Sequence, residues 1–356
     1  MFRSDDTLQI IRQKEELWDL YTRKEEYSPC QLDQYGRFIH AYSTHQGILE
    51  PLVSRHLLEN GYRIDYPDNK QFAVCLTHDV DEIYPPFKHT LLSTLTCLKR
   101  LDVNGFKQQA FWKLHEKKQS PYWNFQEIMN LEEKYGAQSS FYFLATDADI
   151  RRFRYNIEDL EGELGQIVDQ GWEVGLHGGY YAYNNLSNIM SEKTRLERVL
   201  GREVVGYRNH YLRFKVPDSW ESLAKAGFKY DTTLGYPDMV GFRNGMCHPF
   251  RPFNLNNESE INILEIPLVV MDGTIFEVTE SCEEAWKMIK ILIDNVKSCN
   301  GVLTLNWHTN NFNFRFRKSW YTLYDKILAY CNKERAWMTS GKLIEQYFNK
   351  PVPEFK

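Results

Sequence analysis

From residue 72 onward, short apolar runs alternate with longer stretches in which apolar residues recur every three to four positions. The runs at 72–77, 139–144, 173–176, 204–207, 263–267 and 302–307 have the length of strands. The amphipathic stretches at 125–135, 157–170, 189–200, 219–226 and 282–298 have the length of helices. Strand followed by helix, repeated, predicts an α/β chain built on a parallel sheet. Gly171, Gly201 and Gly227 each stand just past a helical stretch, where a left-handed residue ends a helix and turns the chain into the next strand.

Two segments break this rhythm. Residues 90–118 read as a long helical insert after the first strand, and residues 232–262 as a loop rich in Gly, Pro and Asn. A long loop inside a compact chain is usually functional. This one carries Arg243, Phe250 and Arg251, so it is expected to cover a substrate and to contact an acidic group on it. Residues 1–70 read as helical and polar, with apolar stripes at 8–21 and 45–58. The expected division is a helical extension over 1–70 and a β/α unit over 71–350.

Composition narrows the class. The 356 residues are 42% hydrophobic, enough to bury a full core. A net charge of −5 argues against a nucleic-acid partner, because such affinity comes from clustered Lys and Arg; the pair Arg151-Arg152 is at most a local basic spot. The first thirty residues are charged throughout and lack the apolar core of a signal peptide, and no later stretch is apolar enough to span a bilayer. A cytoplasmic protein without a membrane span is expected. Seven cysteines, odd in number and without a Cys-x-x-Cys pair, fit neither a disulfide framework nor a cysteine zinc cluster. The 22 Tyr, 21 Phe and 9 Trp suit stacking on sugar rings, but aromatic residues more often build core.

Chemistry gathers where the strands end. The first strand runs into Thr77-His78-Asp79-Val80-Asp81-Glu82. Two residues apart on an extended chain, Asp79 and Asp81 point the same way, so one suits a metal and the other a base beside it; the alternative is a solvated turn or a helix cap. A second strand ends in His177-Gly178-Gly179, whose glycines let backbone approach whatever the imidazole touches. Others end in Arg208-Asn209-His210-Tyr211 and in Asn306-Trp307-His308-Thr309. In a parallel barrel the C-terminal strand ends converge on one face, so these clusters become one site.

In order, Thr-x-Asp-x-Asp from Thr77 to Asp81, His177-Gly178-Gly179, Arg208-x-x-Tyr211 and Leu305-x-x-His308 resemble the NodB-homology polysaccharide deacetylases, carbohydrate esterase family four, over residues 72–348. More narrowly, these motifs together with Tyr230-Asp231-Thr232-Thr233 and Met271-Asp272-Gly273-Thr274 are similar to a branch encoded alongside bacterial surface-polysaccharide enzymes. The resemblance implies a distorted (β/α) barrel and one divalent metal ion, zinc first. It implies Asp79 as general base, Asp81 and His177 as ligands, Arg208 as the partner that keeps Asp79 ionised, the Tyr211 backbone N–H as oxyanion donor, and His308 as general acid. Amide hydrolysis needs these same roles.

The family's metal motif has a second His where this chain has Tyr181. Catalytic zinc typically takes three protein ligands. His210 stands where the family has Pro, as third ligand or as a substrate-contacting or core residue, with His78 and His248 as weaker substitutes. Tyr180, Tyr181, Tyr183 and Trp307 either floor a sugar groove or belong to the barrel rim. The expected substrate is an N-acetylated amino sugar in a surface-polysaccharide precursor, linked to a nucleotide or a lipid. The alternatives are a catalytically silent sugar-binding or scaffolding relative, and a hydrolase of another non-peptide C–N bond.

Overall fold

The computed structural model describes residues 4–28, 31–114, 117–147, 149, 155–313 and 316–350. The pair Arg151-Arg152 lies outside the described residues. In chain order the strands are β1 (Phe72–Val80), β2 (Ser140–Leu144), β3 (Glu173–Gly178), β4 (Gly206–Asn209), β5 (Tyr230–Asp231), β6 (Phe253–Asn254), β7 (Ser259–Glu260), β8 (Leu264–Glu265), β9 (Val270–Met271), β10 (Val302–Asn306) and β11 (Ala336–Thr339). Strands β6 and β7 form a separate antiparallel hairpin. The others make one parallel sheet in the order β8-β5-β4-β3-β2-β1-β10-β9, with β11 beside β1.

The sheet curls into a distorted (β/α) barrel. One continuous extended segment carries β8 and β9 across the last gap: the Ile266 N–H donates to Asp231 O at 2.9 Å on one side, and the Val269 N–H to Thr304 O at 3.2 Å on the other. Helices Phe125–Glu133, Leu186–Leu200, Asp218–Lys225 and Cys282–Ser298 fall in the predicted stretches, and Gly171, Gly201 and Gly227 have φ of 100°, 72° and 78°.

Several elements depart from the sequence expectation. Strand β1 runs on to Val80, because from Thr77 it pairs with β2, while its first half, Phe72 to Cys75, pairs with β11. All nine of its residues are buried, so the chain segment that carries the chemistry is also the most constrained in the sheet. The predicted strand at 263–267 is reduced to β8, paired with β5, and a further short strand, β9, follows at Val270–Met271 beside β10. Strand β11 and the helices Lys318–Lys333 and Gly341–Phe348 complete the fold without having been foreseen.

The N-terminal residues pack on the barrel rather than standing apart. Leu8, Ile11, Leu20, Val53 and Leu57 share one hydrophobic cluster with the barrel strands. The loop over 232–262 is the seat for this packing, which corrects its expected role as a substrate cover. Its Phe242 N–H donates to Ile48 O at 2.7 Å, and its Gly245 O accepts from the Val53 and Ser54 N–H groups at the start of helix Leu52–Glu59. Arg243 is buried, paired through Nη2 with Glu26 Oε2 at 2.6 Å. Arg23 Nε donates to Glu26 Oε1 at 2.7 Å and its Nη2 to Glu25 Oε1 at 2.6 Å, so Glu26 bridges two enclosed guanidiniums and Glu25 supplies the second negative charge. Phe250 packs on Tyr21, and Arg251 bonds Asn262 and Asn349. Removing one partner of a buried charge network leaves the rest uncompensated, so Glu26→Ala is expected to destabilise the chain by about 3–5 kcal/mol in urea unfolding.

Candidate metal centre and active site

Alternation along β1 decides which side chains reach the site. Thr77, Asp79 and Asp81 face one way, over the C-terminal mouth of the barrel, and His78 faces the other. His78 is fully buried, with Nδ1 2.7 Å from Trp307 O and Nε2 2.8 Å from Glu132 Oε1, so it is not available as a ligand. His248 is equally occupied, between Ser54 Oγ and Cys299 O, and burial pushes its imidazolium down to about 4.

His177 stands near the end of β3, opposite Arg208 on β4. Its Nδ1 lies 3.1 Å from Arg208 O, a carbonyl that only accepts, so the ring proton sits on Nδ1 and Nε2 presents a lone pair. That Nε2 is 3.2 Å from Asp81 Oδ1. His210 follows β4 and is held the same way: its Nδ1 is 3.0 Å from Asp149 Oδ2, and its Nε2 is 3.7 Å from Asp81 Oδ1. Burial alone would push the His210 imidazolium down, but Asp81 and Asp149 outweigh it and raise it. Asp81 Oδ1 is buried without a hydrogen-bond partner. Burial acts against the Asp81 carboxylate, yet His210, His177 and His308 hold it well below its usual range.

Three lone-pair atoms therefore face one another, from Asp81, His177 and His210, all within 4.8 Å. Without a cation a protonated imidazole answers the Asp81 charge; with one, the three groups form a three-ligand site of the kind catalytic zinc takes, leaving a position open. This donor set fits a divalent transition metal, with His210 as the third candidate ligand.

Asp79 lies beside this cluster and is tied from behind. Arg208 Nη1 donates to its Oδ1 at 3.1 Å and Asn306 Nδ2 to its Oδ2 at 2.8 Å. Arg208 is fully buried and spends its other donors on Thr77 Oγ1 at 2.8 Å and on Thr232. Burial pushes the Asp79 carboxyl up; the charges of Arg208, His177 and His308 outweigh it and keep it below the usual range. Asp79 Oδ2 is 3.9 Å from both His177 Nε2 and His308 Nε2.

His308 follows β10, its Nδ1 2.6 Å from Asp272 Oδ1, while Asp272 Oδ2 accepts from the His308 backbone N–H at 2.8 Å and from Asn311 Nδ2 at 2.6 Å. Burial disfavours the imidazolium, but Asp272, with Asp81 and Asp79, raises it to about 10. The arrangement can hold a cation and keep, beside it, one carboxylate ionised and one imidazole protonated.

The cavity above these groups has a volume of about 770 Å³. Asp79, Asp81, His177, His210, Tyr211 and His308 line it together, and Arg37 of the N-terminal segment reaches its wall, donating through Nη1 to Tyr211 O at 3.0 Å. Tyr211 is left-handed, with φ 63°. Two expected residues are elsewhere. Trp307 is fully buried against Phe276, Trp320 and Tyr324 and offers no face to a sugar. Tyr181 is 55% exposed, does not line the cavity, and packs on Tyr180, whose ring packs on Tyr211. The glycines after His177 also serve another purpose than expected: a Cβ at Gly178 would lie inside the Tyr207 ring.

Sequence reasoning missed Asp149, Asn306 and the pairing of Asp272. Asp149 lies a few residues beyond β2 and Asp272 directly follows β9, so a polar residue at a strand end, the signal that found the others, marks these too. Asp149 also accepts from the Tyr180 N–H at 2.8 Å. Because a carboxylate behind a ligating imidazole fixes its tautomer and raises its basicity, Asp149→Ala is expected to weaken zinc binding about 10–100-fold in a competition titration.

No protein-family model and no curated protein matches the sequence. Solved structures do match in fold. A putative polysaccharide deacetylase from Mycobacterium smegmatis superposes with a TM-score of 0.53 at 17% identity, over 81% of this chain and 93% of that one. A probable polysaccharide deacetylase from Pseudomonas aeruginosa PAO1 gives 0.56 at 13% identity, and Puue Allantoinase 0.56 at 14%, each over 92% of this chain and 99% of the other. The chain thus has the distorted (β/α) barrel fold of the NodB-homology polysaccharide deacetylases.

Proposed function

We propose that the protein is a metal-dependent N-deacetylase acting on an amino sugar of a surface-polysaccharide precursor. The observation that carries this reading is the meeting of Asp81, His177 and His210 within 4.8 Å, with Asp79 and His308 beside them, His308 Nε2 lying 3.9 Å from Asp79 Oδ2 and 3.8 Å from Asp81 Oδ2. Asp81, His177 and His210 would hold one divalent ion, and the mixed carboxylate and imidazole set suits zinc. When bound, the ion supplies Lewis acidity toward the amide carbonyl.

The chain's own groups then divide the work. Asp79 takes a proton from the attacking water, and Arg208 and Asn306 keep it ionised and aimed. The Tyr211 N–H offers a donor to the oxygen of the tetrahedral intermediate. As the C–N bond breaks, His308 gives its Nε2 proton to the leaving nitrogen, so acetate and a free amine result. Residues 1–70 serve as an extension fastened to the barrel, lending Arg37 to the cavity wall.

His210, as a third ligand beside Asp81 and His177, supports this reading over a catalytically silent sugar-binding role. The same residues suit another non-peptide C–N bond, the second reading, which the likeness to Puue Allantoinase keeps in view. Both are tested by incubating zinc-loaded protein with nucleotide-linked and lipid-linked N-acetylamino sugars, measuring acetate and amine, and with cyclic ureides, measuring the ring-opened ureido acid. Acetate release that is absent in Asp79→Asn supports deacetylation; turnover of ureides alone favours the second reading.

A further inference from the structure

The helical insert after β1 is built inside out. It forms two helices, Phe87–Lys99 and Val103–Phe111, joined by a turn in which the Asp102 side chain accepts from the Gly105 N–H. The buried residues are Ser93 and Cys97 on the first helix and Gly105 and Gln109 on the second; Cys97 lies against Gly105, so the helices pack on each other, and Gln109 bonds Asn313. The apolar residues face outward instead. Phe87, Leu91, Leu95 and Leu98 recur at helical spacing and so share one face. Phe87 is 75% exposed, and Leu92 and Leu98 are half exposed. The turn and the far end continue the surface, with Leu101 87% and Leu114 78% exposed.

A water-facing helix of a globular chain shows the opposite pattern, and a contiguous exposed apolar surface of this kind marks an interaction site. Its charge narrows the partner. Residues 87–114 contain five basic side chains, Lys88, Lys99, Arg100, Lys107 and Lys113, against the single acid Asp102, in a chain whose overall charge is −5. All five basic residues are exposed. A second copy docked about a two-fold axis would set this basic face against itself, which like charges oppose. An anionic bilayer surface takes both features at once: Leu and Phe enter the headgroup boundary while Lys and Arg meet lipid phosphates. No helix among the described residues is long and apolar enough to cross a membrane, so the contact would be a surface one. The patch is continuous with the active site, because Pro86 and His89, at the start of the first helix, line the same cavity as Asp79 and His308.

We propose that the hairpin Phe87–Phe111 docks on an anionic lipid surface and sets the cavity mouth at the headgroup level, where the substrate amino sugar is presented on a lipid carrier. The docking stands on the hairpin alone; the lipid-borne substrate rests on the deacetylase reading above.

Flotation of the zinc-loaded full chain with vesicles tests the docking without reference to activity. One set contains phosphatidylglycerol and phosphatidylethanolamine, the other phosphatidylcholine only. Wild type is expected to float with the anionic set and to be released by high salt. Leu91→Ser/Leu95→Ser/Leu98→Ser and Lys88→Glu/Lys99→Glu should each lose about tenfold or more in partitioning, with metal content unchanged. Wild type that stays unbound at low salt overturns the docking, as does a dimer that the triple serine variant turns into monomer. Vesicle binding with acetate released only from soluble nucleotide sugars overturns the lipid-borne substrate. A protein inert on every amide that still floats keeps the docking and removes the deacetylase reading.

Discussion

His210→Ala is expected to emerge from purification without its metal, where wild type carries about one transition-metal ion per chain. Two ligands remain in the variant, Asp81 and His177, and two are too few for a stable zinc site of this class. Loss of a ligand exceeds loss of the carboxylate behind it, so affinity should fall by more than about 100-fold. Metal analysis and competition titration read the result directly. Tyr181→His in the same background is expected not to restore binding. Position 181 is 55% exposed and lies beyond Tyr180, outside the cavity the three ligands line. A His210→Ala protein that keeps a full equivalent of zinc would remove His210 from the site.

The second large effect is on turnover with the metal in place. Asp79→Asn keeps the size of the side chain but removes the carboxylate that accepts a proton, and should lower kcat by about 10³-fold with zinc still bound. The pH profile gives the sign of both flanking groups. Asp79 is held below the usual carboxylate range, so activity should persist to low pH before the base is lost on protonation. His308 is raised to about 10 from an ordinary 6.5. A bound ion neutralises the Asp81 share of that shift but leaves the share of Asp272, so the alkaline limb should fall between these values. Asp272→Asn is expected to move it down. Stability follows the same linkage: the raised His308 contributes fully below its unfolded pKa, and the contribution is lost as pH rises toward 10. An alkaline limb unmoved in Asp272→Asn would take the acid role away from His308.

Local pattern carried much of this molecule. The period of apolar residues placed the strands, because a buried strand must be apolar whatever lies beside it. Asp79, Asp81, His177, His210 and His308 were legible together, since parallel topology brings every strand's C-terminal end to one face. Asp149 also stands just past a strand end, but its role there, a contact to His210 61 positions away, is not given by that position alone. Trp307 and Tyr181 looked alike as aromatics beside motif histidines, yet one is sealed under helix Lys318–Lys333 and the other faces water.

The same division holds for the larger pieces. The sequence by itself determined the β-α order, the polar strand ends and the capping glycines, all properties of a residue and its near neighbours. Only the tertiary structure decided that the loop over 232–262 seats the N-terminal segment, that Arg243 is enclosed by Glu26, and that the helix Phe87–Lys99 turns its leucines outward. Periodicity tells which side chains share a face, but what covers that face depends on residues distant along the chain.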